Sequence, residues 1–93
     1  MRGTREVAPY PSVADQTRQI LERIDALLAE AGTDKSKILS TNIWLADIGT
    51  FAEMNSVWDA WVSPGNTPAR ATVEAKLATP AHLVEIMVVA VTT

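Results

Sequence analysis

One acidic residue and one basic residue lie where a β-strand pattern favours apolar side chains. Glu85 is the single charged residue in the apolar, β-branched run of residues 83–91. Burying an unpaired carboxylate in such a strand is costly, so Glu85 either reaches solvent or is held in a partly dry site where its charge takes part in a reaction. Arg70 opens a second strand-like segment, and a guanidinium is well suited to gripping a carboxylate with two parallel hydrogen bonds. These two residues are the candidate functional groups.

The composition narrows the chemistry that is possible. The 93 residues are 47% hydrophobic and 20% charged, which is typical of one soluble globular domain. The absence of Cys excludes disulfides, thiolate catalysis and zinc–thiolate sites, and a single His82 cannot build a metal cluster. The net charge of −3 argues against a nucleic-acid partner. No apolar run has the length of a membrane span and no signal peptide is recognisable, so we expect a cytoplasmic protein without a membrane partner.

The first half of the chain predicts a helix and a strand after an irregular start. Residues 1–11 contain two prolines and offer at most a brief strand. Residues 12–31 predict a helix, with Ser12 and Asp15 as a capping pair and Gly32 as the stop. Residues 36–48 alternate in polarity and predict a strand. The apolar positions of the helix recur close to helical period: Val13, Ile20, Leu21, Ile24, Leu27, Leu28 and Ala31.

The second half predicts another helix and two strands. The helix begins at Thr50, which forms a capping box with Glu53. Strands at about 69–78 and 83–92 are joined by four residues, which favours an antiparallel hairpin. If Ala78 pairs with Leu83, one face of the hairpin is apolar and packs against both helices. The opposite face of the hairpin carries the charged residues. The predicted helix-covered face consists of Ala71, Val73, Ala75, Leu77, Val84, Ile86, Val88 and Ala90.

The hairpin register has a consequence for the candidate site. Arg70 lies opposite Val91 and shares a face with Glu85, roughly 20 Å away at about 3.3 Å per residue. The two side chains therefore cannot serve one small substrate from a single chain. The same face exposes Met87 and Val89 beside polar groups, which is typical of an oligomer interface. A site that used both residues would have to join two subunits.

Two segments near the end of the chain carry a recognisable motif, PARATVEA at residues 68–75 and LVEI at residues 83–86. Together they resemble the C-terminal signature of the RidA/YjgF family of reactive-intermediate deaminases. The family's first helix, central strand and second helix are similar to residues 16–32, 41–48 and 51–58. The resemblance covers residues from about 12 to 92.

The resemblance implies one RidA-like domain over residues 1–93, with 1–11 as a remnant of the N-terminal strand region. The implied fold is chorismate-mutase-like α+β, with two helices on one face of a β-sheet, assembled as a homotrimer around a central barrel. Active members are hydrolases that convert 2-imino acids to 2-keto acids and ammonia in clefts between subunits. Arg70 would bind the substrate carboxylate, and Glu85 would position a water molecule. Backbone groups near Thr72 would help to place that water. No metal or organic cofactor is implied.

The chain departs from the family pattern in two places. Ala71 and Thr72 follow the arginine where many members have Ser and Cys. Most of the β-hairpin that members carry before the first helix is missing, and with it a tyrosine that lines the cleft; Tyr10 lies too near the helix to replace it. The loss of strands would leave an unpaired sheet edge.

Each assignment has a plainer alternative. Arg70 could pair with Glu74 on its own strand, and Glu85 with Lys76 across the hairpin. Asn55 would tie its helix to a loop. For the function, a non-catalytic trimer that binds small carboxylates is the main alternative to imine deamination, and an endoribonuclease is the weakest.

Overall fold

The computed structural model describes residues 12–92 as two helices against one face of a three-stranded sheet. This α+β arrangement is the one that was predicted. One-turn 3₁₀ helices at Lys35–Lys37 and Ile48–Thr50 precede the first strand and the second helix. The prediction for residues 1–11 lies outside the described residues. The longer elements are α1 (Val13–Glu30), β1 (Ile38–Leu45), α2 (Phe51–Trp61), β2 (Ala69–Glu74) and β3 (Val84–Ala90).

Helix α1 begins and ends where the sequence predicted. The Ser12 Oγ accepts a hydrogen bond of 3.0 Å from the backbone N–H of Asp15, which satisfies one of the free donors of the first turn. Gly32 has a φ of +78°, the left-handed conformation that glycine adopts without a Cβ clash. The apolar stripe faces the sheet and buries Ile20, Leu21, Ile24 and Leu28.

The capping box predicted for α2 is wrong. The Thr50 side chain makes no cap bond and donates instead to the Asp47 carbonyl at 2.6 Å. Glu53 turns towards the other helix, where its Oε2 accepts from the backbone N–H of Ala14 at 3.0 Å. The carboxylate therefore satisfies a free donor in the first turn of α1 and links the two helices.

The predicted β2–β3 hairpin is also wrong, because β1 lies between the two strands. The strand order is β2-β1-β3, with β2 parallel and β3 antiparallel to β1. The two outer strands are shorter than predicted, so residues 75–83 separate them and can cross the end of β1. At that end Ala75 donates to the Leu45 carbonyl at 2.9 Å, and Ala46 donates to the Leu83 carbonyl at 3.0 Å. Helix α2 connects the parallel pair, as a parallel crossover requires.

The side chains of β3 face the sides of the sheet that the sequence predicted, whereas those of β2 face the opposite sides. Val84, Ile86 and Val88 are buried against the helices, as expected. Val73, predicted on that face, is 49% exposed on the opposite side. The helix side of β2 carries Arg70, Thr72 and Glu74, which lie across from Thr41, Ile43 and Leu45 of β1. A bulge between Ile38 and Ser40 also turns Leu39 outwards and places Ile38 in the core.

A buried glutamine fastens α1 to the start of β3. Gln16 is 4% exposed, and its side-chain amide makes two hydrogen bonds of 3.0 Å. Its Nε2 donates to the Ala81 carbonyl, and its Oε1 accepts from the backbone N–H of Leu83. The amide therefore supplies both a donor and an acceptor to the connection that leads into β3, where regular strand pairing has not yet begun.

Gln16→Ala should lower the free energy of unfolding by about 2–4 kcal/mol, because two backbone groups lose their partners in a buried place. Urea denaturation at fixed protein concentration measures this. Arg18→Ala is the matched control on the same helix, since it removes an exposed pair with Asp15 that contributes less than about 1 kcal/mol. A loss for Gln16→Ala no larger than that of the control would contradict the role given to the amide.

Candidate functional site

Arg70 lies on the outer strand β2 and points towards α2. It pairs with Thr41 of β1, whose side chain is 2% exposed beneath the helices, so Arg70 shares the helix side of the sheet. Because β2 forms the edge of the three described strands, the residue is half-buried and can be approached from outside the chain. The sequence predicted Arg70 as a site residue but placed it on the opposite face, opposite Val91.

Three side chains of α2 hold the guanidinium in place. Arg70 Nη1 donates to the Asn55 Oδ1 at 2.5 Å. The guanidinium carbon lies 5.4 Å from the ring centre of Phe51 and 5.5 Å from that of Trp58, which is within range of a cation–π attraction. Glu74, the alternative partner, accepts instead from the backbone N–H of Ile48 at 2.9 Å. One Nη1 donor of the guanidinium is thus used by Asn55, and the fork retains other N–H groups for a carboxylate.

Asn55 has a donor on one side and an acceptor on the other. Its Oδ1 accepts from Arg70, and its Nδ2 donates to the Asp59 Oδ2 at 3.1 Å. Asn55 thus ties its helix to an arginine on the sheet, and not to a loop as predicted. Asn55 and Asp59 are four residues apart and therefore lie on the same face of α2.

Thr72 lies two residues beyond Arg70 on the same face. Its hydroxyl oxygen is buried, as is that of Thr41, and neither has a hydrogen-bond partner within residues 12–92. The predicted substrate-binding residues Arg70 and Thr72 are therefore adjacent on the helix side of the sheet edge, next to a second buried hydroxyl.

Glu85 lies on the other face of the sheet. It alternates with the buried residues Val84 and Ile86, and its cross-strand neighbour is Trp44 instead of the predicted Lys76. The side chain is half-buried. Two apolar residues follow it along the same face of β3, namely Met87 and Val89, which are 36% and 46% exposed.

Arg70 and Glu85 do not come together within one chain. Their partners on β1 are Thr41 and Trp44, so the two residues are separated by roughly 10 Å along β1 and by two strand spacings of about 4.8 Å across it. Their side chains also point to opposite faces. One chain therefore cannot bring Arg70 and Glu85 to one small substrate, as predicted. The prediction that the two residues share a face of the sheet was wrong.

Two concavities in the described surface contain neither residue. One of about 520 Å³ is lined by the connection after β2, including Lys76, Thr79 and His82. The other, of about 340 Å³, lies between the end of α1 and the end of β3. Within residues 12–92 no group of three or more His, Cys, Asp or Glu side chains could hold a metal ion. None of the helices in this range is long and apolar enough to cross a membrane.

Comparison with known proteins identifies the family. The model of the family described as Endoribonuclease L-PSP matches residues 2–92. A RutC family protein of Haemophilus ducreyi is 49% identical over 75 residues, which is 81% of this chain and 64% of that protein. The RutC family protein YoaB of Escherichia coli is 50% identical over 76 residues, or 82% of this chain and 67% of that protein. The chain belongs to this family, the RidA/YjgF family.

Solved structures of relatives share the fold. The crystal structure of a YjgF-family protein from Neisseria meningitidis matches with a TM-score of 0.95 and 48% identity, covering 100% of this chain and 77% of that one. A Rid-family protein from Yersinia pestis matches with a TM-score of 0.87 and 35% identity, covering 96% of this chain and 75% of that one. The fold is accordingly the chorismate-mutase-like α+β fold of the family. The chain spans about two thirds of the length of the curated relatives it matches.

The contacts that hold Arg70 were not predicted from the sequence. Phe51, Asn55 and Trp58 recur at helical spacing on an otherwise apolar stripe of α2, a pattern that by itself indicates a face packed against the core. The usable signal was the single amide in that otherwise apolar stripe, because a buried polar group needs a partner on the facing element. Asp59, the next residue in the chain of hydrogen bonds, gave no separate signal, since it reads as exposed charge.

Proposed function

We propose that this protein hydrolyses reactive 2-imino and enamino acids to 2-keto acids and ammonia, in sites shared between subunits. The observation that supports this most strongly is the guanidinium of Arg70, held at a sheet edge by Asn55 and two aromatic rings with donors left over. A guanidinium that is already held in position is well suited to bind the carboxylate of a small organic acid. Membership of the RidA/YjgF family also supports the proposal, because the resemblance to this family implied the same reaction.

In the proposed reaction Arg70 binds and orients the substrate, and Thr72 lies beside it. Water adds to the imine carbon and one of its protons passes to the nitrogen, which gives a carbinolamine. The hydroxyl proton then passes to the amino group, the carbon–nitrogen bond breaks, and ammonia and the keto acid are released. Glu85 of a neighbouring subunit orients the water, and as a carboxylate it accepts a hydrogen bond from the attacking molecule. Imines react readily with water, so correct placement of the two reactants supplies much of the acceleration. The reaction uses no metal or organic cofactor.

The proposed assembly is a homotrimer, because the sheet face that carries Glu85 exposes apolar side chains that no other part of residues 12–92 covers. Leu39, Val73 and Val89 are between 46% and 58% exposed there. A contiguous apolar surface of this kind is typical of an interface between copies. Packing this face against the edge strand of a neighbour would bring Glu85 of one subunit towards Arg70 of the next.

Sedimentation equilibrium at micromolar concentration should therefore give about three times the chain mass of 10.1 kDa. Val89→Lys places a charge in the middle of the apolar face and should shift the mass towards that of the monomer. Glu30→Lys, at the exposed end of α1, makes a larger charge change outside this face and should leave the trimer intact. A wild-type monomer at these concentrations would contradict the shared site.

Glu85→Gln should leave the trimer and the affinity for 2-oxobutyrate within about twofold of wild type, and lower imine hydrolysis about 100-fold or more, as loss of a general base does. Release of ammonia from freshly generated 2-iminobutanoate measures the rate, and calorimetric titration measures binding. Lys76→Gln is the control, because it removes an exposed charge from the connection after β2 and leaves both candidate groups in place. Equal hydrolysis by Glu85→Gln and wild type would remove Glu85 from the reaction.

A second candidate function, binding of small carboxylates without catalysis, also has an observation in its favour. Arg70 and the three side chains that hold it come from one chain, whereas the Glu85 carboxylate lies on the other face of the sheet. In that case 2-oxobutyrate binds and wild-type protein adds nothing to the spontaneous rate of imine hydrolysis.

A further inference from the structure

We propose that Asp59 is a positioning residue for Arg70 and acts through the amide of Asn55. The inference deepens the proposed function and rests on it. The structure connects the three side chains in one line: Arg70 donates to the Asn55 Oδ1 at 2.5 Å, and the Asn55 Nδ2 donates to the Asp59 Oδ2 at 3.1 Å.

The direction of these hydrogen bonds gives Asp59 its role. An asparagine amide has an oxygen and a nitrogen of nearly the same size, so only its partners decide which one faces which way. The guanidinium is a pure donor and the carboxylate is a pure acceptor. Asp59 holds the NH₂ end of Asn55, which leaves the oxygen facing Arg70. A residue at position 59 that can also donate no longer fixes this orientation.

The place of Asp59 in its helix argues against a stabilising role there. Helix α2 ends at Trp61 and has no basic residue in its last turn. A negative charge in the last turn is unfavourable with respect to the helix dipole. The side chain is exposed, and it accepts a hydrogen bond from Asn55. This hydrogen bond is therefore the interaction through which we expect the carboxylate to act.

Because Asp59 is negatively charged, the direction in which its removal changes the ligand affinity distinguishes two explanations. A carboxylate near an anion site repels the anion, so its removal should tighten the binding of a carboxylate ligand if charge alone mattered. If Asp59 positions Arg70 through Asn55, its removal should weaken binding. The two explanations predict opposite changes in the dissociation constant.

The experiment is calorimetric titration of 2-oxobutyrate into wild type, Asp59→Asn and Asp59→Glu. Asp59→Asn should raise the dissociation constant about three- to tenfold, the range that one net hydrogen bond covers. Its thermal midpoint should be equal to that of wild type or higher, because a charge that opposes the helix dipole has been removed. Asp59→Glu keeps an acceptor four residues from Asn55 and should recover most of the affinity. Glu22→Gln, an exposed neutralisation on α1, is the control for net charge.

Two further variants separate the possible failures. In an Asn55→Ala background, Asp59→Asn should no longer weaken binding, because the link to Arg70 is absent. If wild type does not bind 2-oxobutyrate, or if Arg70→Lys binds it equally well, Arg70 does not bind the substrate carboxylate and the proposed function is contradicted. If Arg70→Lys weakens binding but Asp59→Asn leaves it unchanged or tightens it, the inference about Asp59 alone is overturned. A fall in thermal midpoint that accompanies the loss of binding also overturns it, since Asp59 would then act on the fold.

Discussion

The central position of β1 is the constraint on which the rest of the structure depends. Because β1 pairs with β2 on one side and with β3 on the other, the pleats of all three strands are coupled. The buried side chains of Ile43 and Leu45 set the helix side of the sheet, and this assigns Arg70 to that side and Glu85 to the opposite one. A shift of either outer strand by one residue would exchange the faces of its side chains. The separation of the two candidate groups is therefore fixed by the packing of the core.

On the helix side of the sheet, the candidate residue Arg70 is held in a fixed position. Arg70 is pinned by a short hydrogen bond and by two aromatic faces, all contributed by α2. The position of α2 in turn depends on its contact with α1, where Trp58 and Met54 are buried and Glu53 binds the first turn of α1. The loss of rotamer freedom of a long arginine side chain is thus offset when the protein folds, before any ligand arrives. The opposite face presents Glu85 beside the exposed apolar side chains of Met87 and Val89, and this is the surface that we expect a neighbouring subunit to complete.

The sequence was sufficient for the features that depend on local pattern. The helical period and the caps of α1 were correct, and so was the inward face of β3, where every second residue is large and apolar. The pairing of β2 was not predictable from the short connection after it, because its partner lies across an intervening helix. The orientation of β2 also misled, since Ala71 and Val73 form the more apolar side and yet face away from the helices. The residue that receives Arg70 on the helix side is Asn55, a single polar residue in an otherwise apolar stripe of α2, and this pairing could not be identified until the strand order was known.

The central claim is that each site takes Arg70 from one subunit and Glu85 from the next, and mixed oligomers test it most directly. Arg70→Ala and Glu85→Gln subunits, each inactive alone, are unfolded together in equal amounts and refolded. In a closed ring with random mixing, about one site in four combines an intact Arg70 with an intact Glu85, so imine hydrolysis should return to about a quarter of the wild-type rate. Differently tagged subunits verify the mixing by mass. Verified mixed oligomers with no recovered hydrolysis would contradict the shared site.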